Sequence, residues 1–266
     1  MEHIHTAMQK AREQRGASWL SEPAASSSAR AVADAPWPTL PVRQLDIELM
    51  SRNRIVTMRR QDPSHAAFDI MRTRVLQALQ RNNWTSIAIT SPTPGCGKTM
   101  VCLNLAFSLA NRKDCRVVLV DLDLRRPQVA RLLGLDNLPL MENFLRGQLD
   151  LAEAFVRCGD NIAIAANARP VRLAAELLQG PETAHVVKGI KQRLMPDVIL
   201  YDLPPMLTND DVMAFLPNVD SAILVAAAEA TTVNEADICE HELSQKTNML
   251  GVVLNKCRYT PDKYGY

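Results

Sequence analysis

Tyrosine is scarce in this chain: four in 266 residues, with aromatic residues only 5% overall. A surplus of charge is missing too. Lys and Arg number 30 against 29 Asp and Glu. That balance leaves no broad footprint for nucleic acid or an anionic membrane surface. No apolar run approaches the ~18 residues that would span a bilayer. The opening MEHIHTAMQKAREQR is polar and charged, so no signal peptide is expected. The six cysteines include no Cys-x-x-Cys pair. Reduced thiols in a cytosol are the matching expectation. No internal repeat is visible.

Two segments bury little. Residues 16–43, which include SEPAASSSARAVADAPWPTLP, are rich in Ser, Ala and Pro and read as a linker. Ahead of them, an expected helix over residues 1–15 puts Ile4, Met8 and Ala11 on one side, a face suited to a partner. From about Ile47 the chain becomes regular. The first half should run as a helix at about 64–81, a strand at 84–90, a glycine-bearing loop and a helix at 100–110. A strand ending at Asp121, a helical region to about 157 and a strand near 161–165 follow. The second half should hold a helix at 181–194, a strand at 197–203, a helix, a strand at 222–227, a helix at 232–246 and a strand at 251–254. Strands alternating with helices predict an α/β fold, a mostly parallel sheet flanked by helices. The expected organisation is an N-terminal helix and linker (1–46), one large domain (47–258) and a short tail (259–266).

Three stretches carry chemistry. The first is SPTPGCGKT, residues 91–99, between a strand and a helix. Gly95 and Gly97 let the backbone curl so that its N–H groups face phosphates, and the helix N-terminus adds partial positive charge. Pro94, Cys96 and Met100 complete this loop. Lys98 should reach the β- and γ-phosphates of ATP, and the Thr99 hydroxyl should ligate Mg²⁺. Pro92 stands where the general pattern has its first glycine. Cys96, among loop N–H groups and beside Lys98, should favour its thiolate, so that oxidation would block ATP. Its simpler role is that of a small residue that fits.

The second stretch is VVLVDLDLRRP, residues 117–127. Val-Val-Leu-Val suits a central parallel strand buried on both faces. Ligands in such sheets bind beyond the carboxyl ends of the strands, which places Asp121 and Asp123 at the phosphate site. One can hold Mg²⁺ and the other can take a proton from an attacking hydroxyl. Arg125 and Arg126 can stabilise transferring phosphate or pair with these carboxylates. A strand-end Asp that caps the next helix would explain one Asp, but not the repeat.

The third stretch is VILYDLPP, residues 198–205. Asp202 suits Mg²⁺ binding through water, and Pro204 and Pro205 should stop the strand. Farther on, Asn255, next to Lys256, offers a donor and an acceptor to adenine. The basic residues of NARPVR (167–172) should lie on the same side, available to phosphate or to an incoming peptide. Three of the four tyrosines, Tyr259, Tyr264 and Tyr266, fall in the last eight residues. That tail could enter a neighbour's site as phosphate acceptor.

Taken together the motifs resemble the bacterial tyrosine kinases, or BY-kinases, of polysaccharide export loci. That family has a Walker A, a Walker A′ and a Walker B motif. Here they match Pro94–Thr99, Asp121–Pro127 and Asp-Leu-Pro-Pro at 202–205. Gly147 in FLRGQLDLAEA, AELL at 175–178 and GVVLN at 251–255 match as well. The resemblance spans about Ser64 to Cys257. The opening residues also resemble autokinases found beside exosortase-type loci. The resemblance implies a P-loop NTPase fold of the MinD/ParA-like, deviant-Walker group that uses ATP and Mg²⁺. It implies a cytoplasmic tyrosine autokinase that phosphorylates its C-terminal tyrosines between subunits of a homo-oligomer. A membrane polysaccharide co-polymerase would activate it and recruit it to the inner face of the membrane.

One motif departs from the family. Its Glu-x-x-Arg-x-x-Arg docking helix corresponds here to HAAFDIMRTRV, with Ala66, Asp69 and Arg72, so only the last position is kept. His65, Arg72 and Arg74 are left for a different interface. Two other readings therefore stay open: an ATPase switch of the MinD/ParA type and an ATP-gated scaffold. Against the switch, Thr93 replaces the extra early Lys of those proteins.

Overall fold

The computed structural model describes residues 37–58 and 64–257. The tail tyrosines, the expected helix at 1–15 and most of the Ser/Ala/Pro stretch lie outside the described residues. In chain order the elements are α1 (Ile47–Arg52), α2 (Ser64–Asn82), β1 (Ser86–Ser91), α3 (Lys98–Ala110), β2 (Val117–Asp121), α4 (Val129–Leu133), α5 (Met141–Leu145) and α6 (Leu151–Ala154). They continue as β3 (Val156–Arg157), β4 (Ile162–Ala165), α7 (Ala174–Gln179), α8 (Pro181–Leu194), β5 (Val198–Pro205), α9 (Asp211–Phe215), β6 (Ser221–Ala227), α10 (Val233–Lys246) and β7 (Asn248–Asn255).

The strands form one sheet in the order β3-β4-β2-β5-β1-β6-β7. All neighbours are parallel except β3, which runs antiparallel to β4. Strands β1, β2, β4 and β6 are buried at every position. They can be so because both faces carry helices, which is why their sequences are apolar runs rather than alternations. One face packs on α1 to α4, the other on α5 to α10. Helix α3 follows the phosphate loop into the centre of its face and is buried almost all round. A helix in that position must be apolar on every side, as VCLNLAFSLA is.

Four features differ from the sequence expectation. Residues 37–43, read as linker, join the body. Trp37 and Leu40 are only 3% and 2% exposed. The Trp37 indole donates to the Asp160 carbonyl at 3.0 Å, and the Arg43 N–H donates to the Arg157 carbonyl at 2.9 Å. The helical region before residue 157 is three short helices and an edge strand, β3. At two residues, β3 is too short to show a period. Strand β5 runs through Pro204 and Pro205 instead of stopping before them. There the Pro204 carbonyl accepts from Thr90 Oγ1 at 2.6 Å, a bond for which proline's missing N–H is irrelevant. Finally, α3 begins at Lys98, earlier than its apolar spacing suggested.

Candidate functional site

The carboxyl ends of β1, β2 and β5 converge on one spot. Asp121 and Asp202 are direct neighbours across the β2–β5 ladder, and the loop after β1 delivers Lys98 beside them. Lys98 Nζ lies 2.7 Å from Asp123 Oδ2 and 3.5 Å from Asp202 Oδ1. Thr99 Oγ1 donates to Asp202 Oδ2 at 2.7 Å. Burial alone would discharge Lys98, but Asp202 and Asp123 outweigh it and hold the ammonium charged beyond its usual range. Burial raises the Asp202 carboxyl above its usual value, against the opposing pull of Lys98 and Thr99. An unbalanced buried charge is costly, so these groups compensate one another until a ligand replaces a partner.

The loop itself is held from behind. Gly97 has φ +90°, and a Cβ there would collide with the Asn255 amide nitrogen. That amide donates to the Cys96 carbonyl at 2.9 Å. Asn255 therefore braces the loop through its amide N–H. Lys256, the next residue, lines the cavity. The Cys96 side chain is 2% exposed and its thiol donates to the Thr93 carbonyl at 3.2 Å. Burial opposes its ionisation, but hydroxyls of Thr231 and Thr93 prevail and lower its pKa. Those hydroxyls, not the neighbouring lysine, are what favour the thiolate.

A cavity of about 560 Å³ opens over the loop. Pro94, Gly95, Gly97, Lys98, Thr99 and Met100 form its floor, and Asp123, Arg125 and Arg126 one wall. Two side chains of the second stretch are engaged within the chain. Asp121 is fully buried and accepts backbone N–H groups of Asp123, Gln128 and Val129 at 3.2, 3.2 and 3.1 Å. It fixes the turn into α4, a capping role. Burial first, and then Asp202, push its carboxyl well above the usual range. Arg125 pairs neither with Asp121 nor with Asp123. Its guanidinium makes a two-pronged bond to the buried Asp211, at 2.7 and 2.8 Å. Asp211 was missed because nothing near it in sequence marks it. Gln128 and Arg131, at the start of α4, also line the cavity and carried no sequence signal.

The donor set suits a hard cation bound beside phosphates. Thr99 Oγ1 and the Asp202 carboxylate, hydrogen-bonded at 2.7 Å, are oxygen donors of the kind such a cation prefers. Among the described residues, no group of three His, Cys, Asp or Glu is arranged to hold a metal alone. Mg²⁺ needs no such cage, because phosphate and water complete its shell.

The docking stretch on α2 is engaged within the chain. Asp69 takes Arg72 at 2.6 Å and His65 at 3.1 Å. Arg72 also donates to the Ser108 hydroxyl and carbonyl on α3, at 3.0 and 3.2 Å.

Comparison with known proteins agrees with this geometry. A family model described as ParA, an NUBPL iron-transfer P-loop NTPase, matches residues 82–265. The chain belongs to that family of P-loop NTPases. Within it, the relatives and solved structures identify the chain as a member of the bacterial tyrosine-kinase, or BY-kinase, family. The putative tyrosine-protein kinase AmsA of Erwinia amylovora is 29% identical over 232 residues, 86% of this chain and 32% of that protein. Tyrosine-protein kinase CpsD of Streptococcus pneumoniae serotype 4 is 28% identical over 185 residues, 67% of this chain and 79% of that one. The chain thus spans about a third of the first of these relatives. The kinase domain of Escherichia coli tyrosine kinase ETK superposes with a TM-score of 0.71 at 26% identity, over 80% of this chain and 84% of that one. The septum site-determining protein MinD of Pyrococcus horikoshii, complexed with Mg-ADP, gives 0.56 at 25% identity, over 66% and 72%.

Proposed function

We propose that the chain is an ATP-dependent protein-tyrosine kinase that phosphorylates Tyr259, Tyr264 and Tyr266 of a neighbouring copy. In that role it regulates polymerisation and export of an exopolysaccharide. One observation carries the reading. Lys98 is held between Asp123 and Asp202 at the floor of the cavity, and β7, from which the tyrosine-bearing end follows, is tied to the same loop by Asn255.

The loop N–H groups and Lys98 neutralise the phosphates of ATP. Thr99 and Asp202 would hold Mg²⁺, which supplies further charge neutralisation when bound. Asp123, at the cavity wall, is the base in this reading. It takes the proton of the tyrosine hydroxyl as that oxygen bonds to the γ-phosphorus and the bond to the β–γ bridging oxygen breaks, releasing ADP. Asp121 positions Asp123 through its backbone N–H. Arg125, anchored by Asp211, presents positive charge to the transferring group.

A separate membrane polysaccharide co-polymerase is the activator in this proposal, and it recruits the chain to the inner face of the membrane. No helix among the described residues is long and apolar enough to cross a membrane. The test is intact mass after incubation of phosphatase-treated protein with Mg²⁺-ATP, with and without a candidate activator tail. The kinase reading expects steps of about 80 Da per phosphoryl group, lost when all three tail tyrosines are replaced by Phe. Hydrolysis of ATP without added mass would replace it with the nucleotide switch. Neither mass nor turnover would replace it with the scaffold.

A further inference from the structure

A second cavity, of about 290 Å³, lies toward the other end of the sheet. It sits between one stripe of α8 and the first residues of β1 and β5. Ser86, Val187, Lys188, Lys191, Tyr201 and Asp220 are among its lining groups. Nothing in the phosphate site uses it.

Tyr201 is the informative residue. It is fully buried, with its ring edge-on to Phe215 at 4.9 Å. Tyr201 is among the residues lining this cavity, and its buried hydroxyl has no hydrogen-bond partner. A buried hydroxyl without a partner costs about 1–3 kcal/mol, so natural proteins seldom leave one unmatched. Burial first, then Asp220, push its ionisation up, so it remains a donor.

The surrounding groups say what it lacks. Asp220 is the nearby acceptor, but its Oδ2 already takes Thr85 N, Ser86 N and Ser86 Oγ at 2.8, 2.9 and 2.9 Å. Ser86 Oγ in turn accepts from the Asp220 N–H at 2.9 Å. Lys191 approaches Asp220 only to 3.9 Å. The cavity therefore offers one buried hydroxyl and two lysine ammonium groups, while its carboxylate is engaged by the backbone.

We infer that this cavity is a second ligand site, for a small oxyanion-bearing molecule whose oxygen accepts from the Tyr201 hydroxyl and whose charge is met by Lys188 and Lys191. The volume exceeds that of one phosphate group, so a small body carrying a phosphate or carboxylate fits it. The site needs no catalysis at the phosphate loop and stands apart from the kinase proposal.

The test is an amide-resolved NMR titration of the full chain with inorganic phosphate, then with glucose 1-phosphate and with citrate, at saturating Mg-ADP. Saturable shifts around Ser86, Lys188 and Ile199 are expected. Tyr201→Phe, which keeps the ring packing, should weaken them about tenfold, as should Lys188→Ala with Lys191→Ala. Tighter binding of the sugar phosphate would assign the phosphate class, and tighter binding of citrate the carboxylate class. Shifts confined to the phosphate loop, or undiminished in these variants, would overturn the site. If Tyr201→Phe does not fold, the surface lysine pair decides alone.

Discussion

Asp121 and Asp123 are two residues apart, yet their surroundings assign them different work. Asp123 meets Lys98 at the cavity wall, whereas Asp121 collects three backbone N–H groups below it. Asp123→Asn should lower the rate of phosphoryl transfer at least a hundredfold and, because it takes the nearest partner from the buried Lys98, should lower the melting temperature as well. Asp121→Asn replaces one of the carboxyl oxygens that face buried N–H donors with an amide and should cost about 1–3 kcal/mol of stability. Initial rates by intact mass, referred to the folded fraction from thermal denaturation, measure both. If Asp123→Asn retains full rate, Asp123 is not the base. Lys98→Met should remove labelling by a factor of about 10²–10³ or more. Gly97→Ala forces a side chain into left-handed backbone and against Asn255. It should abolish ADP binding measured by calorimetry.

At this scale the sequence was informative where chemistry and spacing coincide. The convergence of Lys98, Thr99, Asp123 and Asp202 on one spot was legible, because a glycine-bearing loop between strand and helix and carboxylates at the ends of parallel strands meet at one edge of the sheet. Asn255 was legible as an amide near the site, but its target was not. Whether it faces a base or the Cys96 carbonyl depends on how β7 lies against the loop. Asp211, 86 residues from Arg125, was out of reach for the same reason.

Among the elements, caps and strand ends govern the outcome. Helix α6 has only four residues, and it is held by a capping box of Asp150 and Glu153. Asp150 also takes Arg193 of α8 at 2.8 Å. Arg193 first, then the Ala152 N–H, hold its carboxyl down at about 2. A lowered folded-state pKa stabilises above the unfolded value and is lost as pH falls through the folded one. The contribution should be complete above about pH 4 and gone near pH 2. Both side chains are nearly half exposed, so solvent screening keeps it below about 1 kcal/mol. Acid unfolding of Asp150→Asn should therefore be shallower than that of the parent between pH 4 and 2. Identical slopes would discard the assignment. The long periodic elements, α8 and α10 above all, were readable in the sequence because their caps and stripes are local. Strand β3 and the passage of β5 through its prolines were not, since a partner strand decides both.

For the molecule as a whole, residues 37–43 close one face of the core. Trp37 packs in the cluster of that face and Arg116 lies over its ring at 5.6 Å. Trp37→Ala should cost about 3 kcal/mol or more, measured by urea denaturation. On the opposite face Arg72 ties α2 to α3 within the chain. Arg72→Ala should lower the melting temperature without shifting the elution volume of any assembly. A change in elution volume alone would return Arg72 to an interface between copies.

The sequence alone determined the class of fold, the phosphate loop, the strand-end carboxylates and the tyrosine-rich end. Each follows from side-chain chemistry and short-range periodicity, which a few neighbouring residues suffice to specify. Tertiary structure decided which Asp caps and which faces the cavity, that Arg125 belongs to Asp211, and that a tryptophan in an Ser/Ala/Pro stretch belongs to the core. It also left the buried Tyr201 hydroxyl without a hydrogen-bond partner. All of these depend on pairings between segments far apart in the chain, and such distances are set only when both faces of the sheet are packed.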